Sequence, residues 1–271
     1  MPAVAVPALA VEEVALLGRT PVAPVDAAKA AALIAARDPA APFATVVTIN
    51  AQILLLAEDP STGLRAAQDA AWLRLNDSRI LARLHRWAVG GDIPVAAGSD
   101  VTLRLLRDHL RPDDAVTVVG GGEGLGERLR ERFGLSRVAI HDPPMGYAND
   151  PQAWDAAIRF VLDHPARLTF VATGAPRSER LLAAIARRGG ATGTGLAVGS
   201  SLLFATGLTQ RAPEAMQRAG LEWLHRAWTE PGRLGRRYAG DFLPLLRLAW
   251  RARREAHPSA PRGPHGGTGG P

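Results

Sequence analysis

Short apolar runs alternate with amphipathic segments through the middle of the chain. Five runs rich in β-branched and other apolar residues predict buried strands, at 43–49, 115–119, 137–140, 168–172 and 195–198. Helical patterns lie between and after them, at 53–57, 80–89, 101–110, 127–133, 154–162 and 180–188. This alternation predicts an α/β fold, with a mostly parallel, Rossmann-like sheet flanked by helices on both faces.

The pattern divides the rest of the chain into four regions. Residues 1–40 contain several prolines and predict an N-terminal extension followed by a lead-in helix capped by Asp26. Residues 41–210 predict the α/β core, in which 64–74 also has a helical pattern and 75–79 is a polar turn. Asn76 or Asp77 could cap the helix after this turn, and Ser99 and Asp100 are expected to cap the helix at 101–110. From residue 212 the pattern is helical, so 211–255 predicts a basic helical appendage at the C-terminal end of the core. Its helix at 242–254 could rest on an anionic membrane surface or pack on the core. The Pro- and Gly-rich residues 256–271 predict a disordered tail.

The charge is concentrated at one end of the chain. The net charge of the 271 residues is +6, yet residues 1–210 contain 21 basic and 21 acidic side chains. Residues 211–254 contain ten arginines against four acidic residues, so the excess lies in this segment. It predicts an anionic partner, which could be phosphate, an acidic lipid surface or nucleic acid. A solvated helix face is the alternative, and no recognised nucleic-acid-binding module supports the last partner.

Composition excludes several other classes. The chain has no cysteine, which rules out disulfides and cysteine-ligated metals and is compatible with a cytoplasmic protein. No run of about 18 apolar residues predicts a membrane span. The apolar N-terminus lacks a basic start and is interrupted by Glu12 and Glu13, so we do not expect a signal peptide.

Polar residues and glycines follow the predicted strands. Thr48, Asn50 and Gln52 come at the end of the first strand, where open α/β sheets place their ligands. Asn50 could equally cap the next helix. The second strand runs into a glycine-rich loop at 120–126 and then a helix, an arrangement that can hold phosphate. The loop does not fit G-x-G-x-x-G, which argues against NAD, and a tight turn without a ligand is the alternative.

The sequence lacks most familiar catalytic motifs. It has no H-E-x-x-H, Asp-x-Asp, Gly-x-Ser-x-Gly or Walker pattern, so we expect no metal and no cofactor. The groups that remain available for chemistry are the carboxylate of Asp77, the hydroxyl groups at strand ends, the glycine loops and the arginines. This set suits transfer from a diphosphate-activated donor. The carboxylate would take the proton of the acceptor, and arginines would offset charge on the departing diphosphate.

Ten short motifs occur in a specific order. They are Thr-Ile-Asn-Ala-Gln at 48–52, Asn-Asp-Ser-Arg at 76–79, Gly-Ser-Asp at 98–100, the glycines at 120–122, Pro-Pro-Met-Gly-Tyr at 143–147, Gly-Ala-Pro-Arg-Ser-Glu at 174–179, Arg-Ala-Pro at 211–213, Gly-Leu-Glu-Trp-Leu-His-Arg at 220–226, Glu-Pro at 230–231 and Arg-Leu-Gly-Arg-Arg-Tyr at 233–238. Over residues 43–240 the chain resembles the WecG/TagA/CpsF family of bacterial glycosyltransferases, which is glycosyltransferase family 26. The Pro-Pro-Met-Gly motif resembles the branch associated with exopolysaccharide synthesis.

The resemblance implies an inverting, metal-independent transfer of a hexose or N-acetylhexosamine, such as N-acetylmannosamine, from a UDP-sugar. The implied acceptor is linked to polyprenyl diphosphate, and the protein would act in the cytoplasm at the inner face of the cytoplasmic membrane. By the same resemblance Asp77 is the general base and Thr48 lies beside it. The implied substrate-binding residues are Asn50, Gln52, Arg79, Gly120, Gly121, Gly146, Pro176, Ser178, Glu179, Gly199, Arg211, Glu222, Arg226, Arg233, Arg236 and Arg237. The C-terminal arginines would close over the donor diphosphate or meet the membrane, and a homo-oligomer is compatible with the sequence.

Three positions depart from the family pattern. Ser178 replaces a glutamine, Leu203 replaces an aspartate, and Val95 replaces an arginine. The alternative interpretation is therefore a catalytically weakened member that binds nucleotide or scaffolds a polysaccharide assembly complex.

Overall fold

The computed structural model describes residues 11–213, 215–216, 224 and 236–258, with the backbone alone described at 236–239. The described chain opens with an antiparallel hairpin, β1 (Val14–Leu16) and β2 (Thr20–Val22). The sequence analysis did not predict this hairpin within 1–40. It did predict the helix that follows, α1 (Ala27–Ala35), and Asp26 caps it by accepting a hydrogen bond from the Lys29 N–H at 2.8 Å.

The main sheet has six parallel strands. They are β3 (Ala44–Ile49), β4 (Leu73–Asn76), β5 (Ala115–Val119), β6 (Arg137–His141), β7 (Leu168–Val171) and β8 (Thr194–Ala197), in the order β4-β3-β8-β7-β5-β6. This confirms the predicted α/β fold. Because all the strands are parallel, their carboxyl ends lie along one edge of the sheet, where the loops that follow them can form a common site.

The helices of the described residues lie on both faces of the sheet. After α1 they are α2 (Ala51–Leu56), α3 (Leu64–Asp69), α4 (Arg79–Ala88), α5 (Gly98–Arg104), α6 (Leu125–Phe133), α7 (Pro151–Asp163), α8 (Arg177–Arg188), α9 (Ser201–Thr206) and α10 (Arg236–Ala256). A π-helical turn (Leu105–His109) continues α5, and short 3-10 helices lie at Pro60–Thr62 and Tyr147–Asn149.

Two local predictions were wrong. Residues 64–74 were expected to form one helix before a polar turn, but α3 ends at Asp69 and strand β4 begins at Leu73. The alternation of buried Leu73 and Leu75 with Arg74 is typical of a strand, and Arg74 is held by Glu13 and the carbonyl of Gln68. Helix α5 was expected to start at residue 101 with Ser99 and Asp100 as caps. It starts at Gly98, so both residues lie in its first turn.

The apolar core fills both faces of the sheet. On one face, α1, α5, α6 and α9 pack around Phe170 and Leu196. On the other, α7 and α8 pack beside the strands, and the hairpin, α2 and α4 form a cluster with α10. Leu245, Leu248, Ala249 and Ala252 of α10 are buried in that cluster. The sequence left open whether the C-terminal helix docks on the core, and the structure shows that one face of it does.

Candidate functional site

A cleft of about 660 Å³ opens at the carboxyl edge of the sheet. The loops after β3, β4, β7 and β8 form its floor, and the first turns of α5 and α9 form part of its wall. Helix α10 closes one side with Asp241, Phe242, Leu245 and Leu246. The cleft is therefore built from segments that are far apart in sequence and that the parallel sheet brings together.

Asp77 and Thr48 lie in this cleft, at the ends of neighbouring strands β4 and β3. The Asp77 N–H donates to the Ile49 carbonyl at 2.9 Å, and the Asp77 Oδ1 accepts a hydrogen bond from the Gly98 N–H at 2.8 Å. The first contact attaches the backbone of Asp77 to β3, and the second attaches its carboxylate to α5. A Cβ at position 98 would lie 3.3 Å from the Thr48 Cγ2, so the absence of a side chain at Gly98 permits the close approach of α5 to Thr48.

The turn that presents Asp77 is fixed by its neighbours. The buried Asn76 donates to the Pro94 carbonyl at 3.1 Å and accepts from the Ser78 N–H at 3.1 Å. Helix α4 is capped by Ser78, which accepts from the Leu81 N–H, and neither Asn76 nor Asp77 serves as the cap that the sequence allowed. The position of Asp77 is thus determined by hydrogen bonds on both sides of it.

Asn50 and Gln52 also line the cleft, at the start of α2. Asn50 caps this helix, because its Oδ1 accepts from the Ile53 N–H at 3.1 Å. The capping interpretation of Asn50 is therefore correct. Capping uses the side-chain oxygen, so it is compatible with a ligand contact through the side-chain nitrogen.

The loop after β7 and the first turn of α8 contribute Arg177, Ser178 and Glu179 to the cleft. Pro176, which follows a cis peptide bond, precedes them and does not line the cleft itself. Ser178 is buried, and its Oγ lies 3.2 Å from the Thr173 Oγ1, which in turn lies 2.8 Å from the Tyr147 hydroxyl. The hydroxyl groups of Ser178, Thr173 and Tyr147 therefore form a continuous chain that begins at the cleft.

Glu179 is the most deeply buried carboxyl group of the cleft. Its exposed fraction is 3%, and burial raises its pKa to about 7, partly offset by a hydrogen bond from its own backbone N–H. Its Oε2 has no hydrogen-bond partner among the residues that the structure describes. The group can therefore change its protonation state in the neutral range.

The remaining predicted residues fall into three groups. Arg79, Gly199 and Arg211 line the cleft, and Arg211 forms an ion pair with Asp100. Gly120, Gly121 and Gly146 do not line it. A Cβ at Gly121 would lie 2.3 Å from the Leu125 Cδ2, so close packing accounts for this glycine without a ligand. Glu222, Arg226 and Arg233 lie outside the described residues, as do the side chains of Arg236 and Arg237.

The sequence analysis did not predict several residues of the cleft. Ser99 and Asp100 were interpreted as helix caps, and the wall formed by Ser200, Ser201 and Phe204 was not recognised as part of a site. The Gly-Ser-Asp motif was the available signal. Of the three departures from the family pattern, Val95 and Ser178 line the cleft, whereas Leu203 packs against the core.

The described residues contain neither a cluster of metal ligands nor a helix that could span a membrane. No group of three or more His, Cys, Asp and Glu side chains in residues 11–213 and 236–258 is arranged to hold a metal ion. None of the helices that the structure describes is both long and apolar enough to span a bilayer.

A parallel α/β sheet with a polar cleft at its carboxyl edge defines a ligand-binding α/β protein, with a carboxylate and arginines facing the ligand space. The chain belongs to the WecG/TagA/CpsF family of glycosyl transferases, whose sequence profile matches residues 14–259. The match includes the N-terminal hairpin and helix α10 as well as the core.

Proposed function

We propose that this protein transfers a hexose or N-acetylhexosamine from a UDP-sugar to an acceptor linked to polyprenyl diphosphate, with inversion at the anomeric carbon and without a metal. The pathway would be the synthesis of exopolysaccharide or another surface polysaccharide. Family membership supports a glycosyl transferase. The observation that carries the proposal is Asp77, which lies in the cleft and is anchored by the Gly98 N–H.

In this reaction an acceptor hydroxyl attacks the anomeric carbon from the side opposite the diphosphate. The new C–O bond forms as the bond to the diphosphate breaks, UDP departs, and the hydroxyl proton passes to the Asp77 carboxylate. The Gly98 N–H donates to the Asp77 Oδ1, so the carboxylate is held in a fixed orientation towards the substrates. Thr48 borders the same space and would help to position the substrates.

The departing diphosphate requires positive charge. Arg79, Arg177 and Arg211 line the cleft and would supply it in place of a metal. Arg211 forms an ion pair with Asp100, and this arginine would exchange the carboxylate for a phosphate oxygen when the donor binds. The arginines of 218–237 would add to this charge.

The protein would bind its lipid-linked acceptor at an anionic membrane surface. Helix α10 leaves Phe242, Leu243, Leu246 and Trp250 partly exposed, together with Arg247 and Arg251. Phe242 and Leu246 also border the cleft, and the Trp250 ring packs against Trp87. Apolar side chains interspersed with arginines are typical of helices that lie on anionic lipid. Because the same helix closes the cleft, it would bring the active site to the lipid-linked substrate.

The test is transfer from UDP-sugars to a polyprenyl-diphosphate-linked acceptor by the unsubstituted protein and by Asp77→Asn. We expect Asp77→Asn to reduce turnover by ~10²–10⁴-fold while UDP-sugar binding, measured by protection against thermal unfolding with and without EDTA, is retained. Asp113→Asn, at an exposed position outside the cleft, is the matched control and should remain active. Full activity of a folded Asp77→Asn protein would rule out the assigned base.

The second candidate function is a catalytically weakened member that binds nucleotide or scaffolds an assembly complex. It is motivated by Val95 and Ser178, which line the cleft where the family pattern has longer polar side chains. Binding of UDP compounds without turnover of any donor in a broad panel would favour this function over transfer.

A further inference from the structure

Glu179 has the properties of a ligand contact rather than of a structural carboxylate. It lies in the first turn of the 12-residue helix α8 and lines the cleft, yet it is 3% exposed and its Oε2 has no partner among the described residues. A buried polar atom without a partner costs the protein free energy. A group retained at such a position in a cleft therefore points to a partner supplied by the ligand.

The described neighbours of Glu179 leave its Oε2 without a hydrogen-bond partner. The Tyr147 hydroxyl is engaged by Thr173, and the Ser178 hydroxyl lies against the same threonine. The charged and titratable groups around it are Arg177 and Arg180 on its own helix, Tyr147 in the loop after β6, and Asp77, Arg79, Asp100, Arg211 and Asp241 across the cleft. None of these groups is a cause of the shift in the pKa of Glu179, which arises from burial.

The chemistry of the carboxyl group selects one part of the donor. A carboxylate would repel the diphosphate, whereas it accepts hydrogen bonds readily from hydroxyl and N–H groups. We propose that Glu179 accepts a hydrogen bond from a hydroxyl or N–H group in the sugar or nucleoside part of the donor, and that it releases its proton to solvent when the donor binds. This inference rests on the proposed function, since it takes a UDP-sugar as the ligand.

The proton balance predicts a pH dependence of binding. In the free protein the pKa of Glu179 is about 7, so the carboxyl group is largely protonated at pH 6. A hydrogen bond donated by the ligand stabilises the ionised form and lowers the pKa in the complex. Binding should therefore release a proton and strengthen as pH rises, by about tenfold between about pH 6 and pH 8. No histidine is among the described residues that line the cleft, so no imidazole there contributes to the proton count.

The experiment is isothermal titration calorimetry with UDP-glucose, UDP-N-acetylglucosamine and UDP-N-acetylmannosamine. Each donor is titrated near neutral pH in two buffers of different ionisation enthalpy, which gives the number of protons released. The diphosphate diester of these donors does not itself titrate there. We expect release of roughly half a proton at pH 7 by the unsubstituted protein and none by Glu179→Gln, with about tenfold weaker binding at pH 8. Glu131→Gln removes an exposed carboxylate and should match the unsubstituted protein.

The possible results distinguish failure of the role proposed for Glu179 from failure of the transferase proposal. Donor binding without proton release, or with proton uptake, would overturn the role of Glu179 and leave the transferase proposal standing. Absence of binding by every donor would overturn both. The proton count of the unsubstituted protein decides the question even if Glu179→Gln fails to fold.

Discussion

At the scale of single residues, the burial of Glu179 gives the stability of the protein a defined pH dependence. Its pKa is about 7 in the folded chain against an ordinary value of 4.5, so the folded state binds the proton more tightly than the unfolded state. The free energy of unfolding should therefore fall as pH rises from 4.5 through 7. The shift corresponds to at most about 3 kcal/mol.

Glu179→Gln should remove this dependence. We expect the variant to have a larger free energy of unfolding than the unsubstituted protein at about pH 8, by about 1–3 kcal/mol, and a similar one at about pH 5. Urea denaturation at the two pH values measures the difference. Glu131→Gln serves as the control, and a Glu179→Gln protein that retained the full decline between the two pH values would contradict the prediction.

Individual residues of the cleft were predictable to different degrees. Thr48 and Asn50 lie at the end of an apolar strand, at the edge where parallel sheets bind ligands, so their position could be inferred from the local pattern. Asp77 could not be placed in this way, because strand β4 before it was not predicted. The ion pair of Arg211 with Asp100 could not, because it joins residues 111 positions apart. Burial of Glu179 likewise depends on how α8 packs in the folded chain, and no local pattern encodes it.

At the scale of elements, the apolar runs predicted five of the six strands in the main sheet. Strand β4 was missed because its four residues, Leu73–Asn76, are too few to establish a period of two beside a helical pattern. The β1–β2 hairpin was missed because each strand has only three residues, too few to establish an alternating pattern, and because its turn places Leu17 at a φ of 51° before Gly18. Strand order could not be predicted, because neighbouring strands such as β3 and β8 are separated in sequence by most of the core.

Helix α10 offers a direct test of docking on the core. Leu248 is 4% exposed within the cluster formed with α2 and α4, whereas Leu243 is 58% exposed on the same helix. Leu248→Ala should lower the free energy of unfolding by about 2–5 kcal/mol, because it leaves a cavity in a packed cluster. Leu243→Ala, the matched control, should change it by less than about 0.5 kcal/mol. Chemical denaturation measures both, and equal small effects would show that α10 does not contribute to the core in solution.

At the scale of the whole molecule, helix α10 packs one face on the α/β core and exposes other side chains to solvent. Arg253 lies 4.9 Å from the ring centre of Trp87 and donates to its carbonyl, and Glu255 pairs with Arg19. These contacts fix the inner side of the helix. Phe242, Leu246 and Trp250 follow one another at intervals of four and are partly exposed, with Arg247 and Arg251 beside them. The molecule therefore presents an apolar and basic stripe next to the opening of its cleft.

This stripe should bind anionic vesicles much more tightly than zwitterionic ones. We expect the double variant Arg247→Gln/Arg251→Gln to bind vesicles containing phosphatidylglycerol about 10- to 30-fold more weakly, at roughly 1 kcal/mol per arginine. A matched double variant at exposed arginines elsewhere, Arg128→Gln/Arg137→Gln, lowers the net charge equally and should retain most of the binding.

Co-sedimentation with vesicles at low and high salt measures these affinities. It distinguishes binding through the stripe on α10 from attraction by the net charge of the whole protein. Binding through the stripe should weaken with salt but persist in part, because Phe242, Leu243, Leu246 and Trp250 add an apolar contribution that salt does not screen. Equal losses in the two double variants would mean that net charge alone attracts the protein. The proposed contact through α10 would then be wrong, and the lipid-linked acceptor would have to reach the cleft from another side.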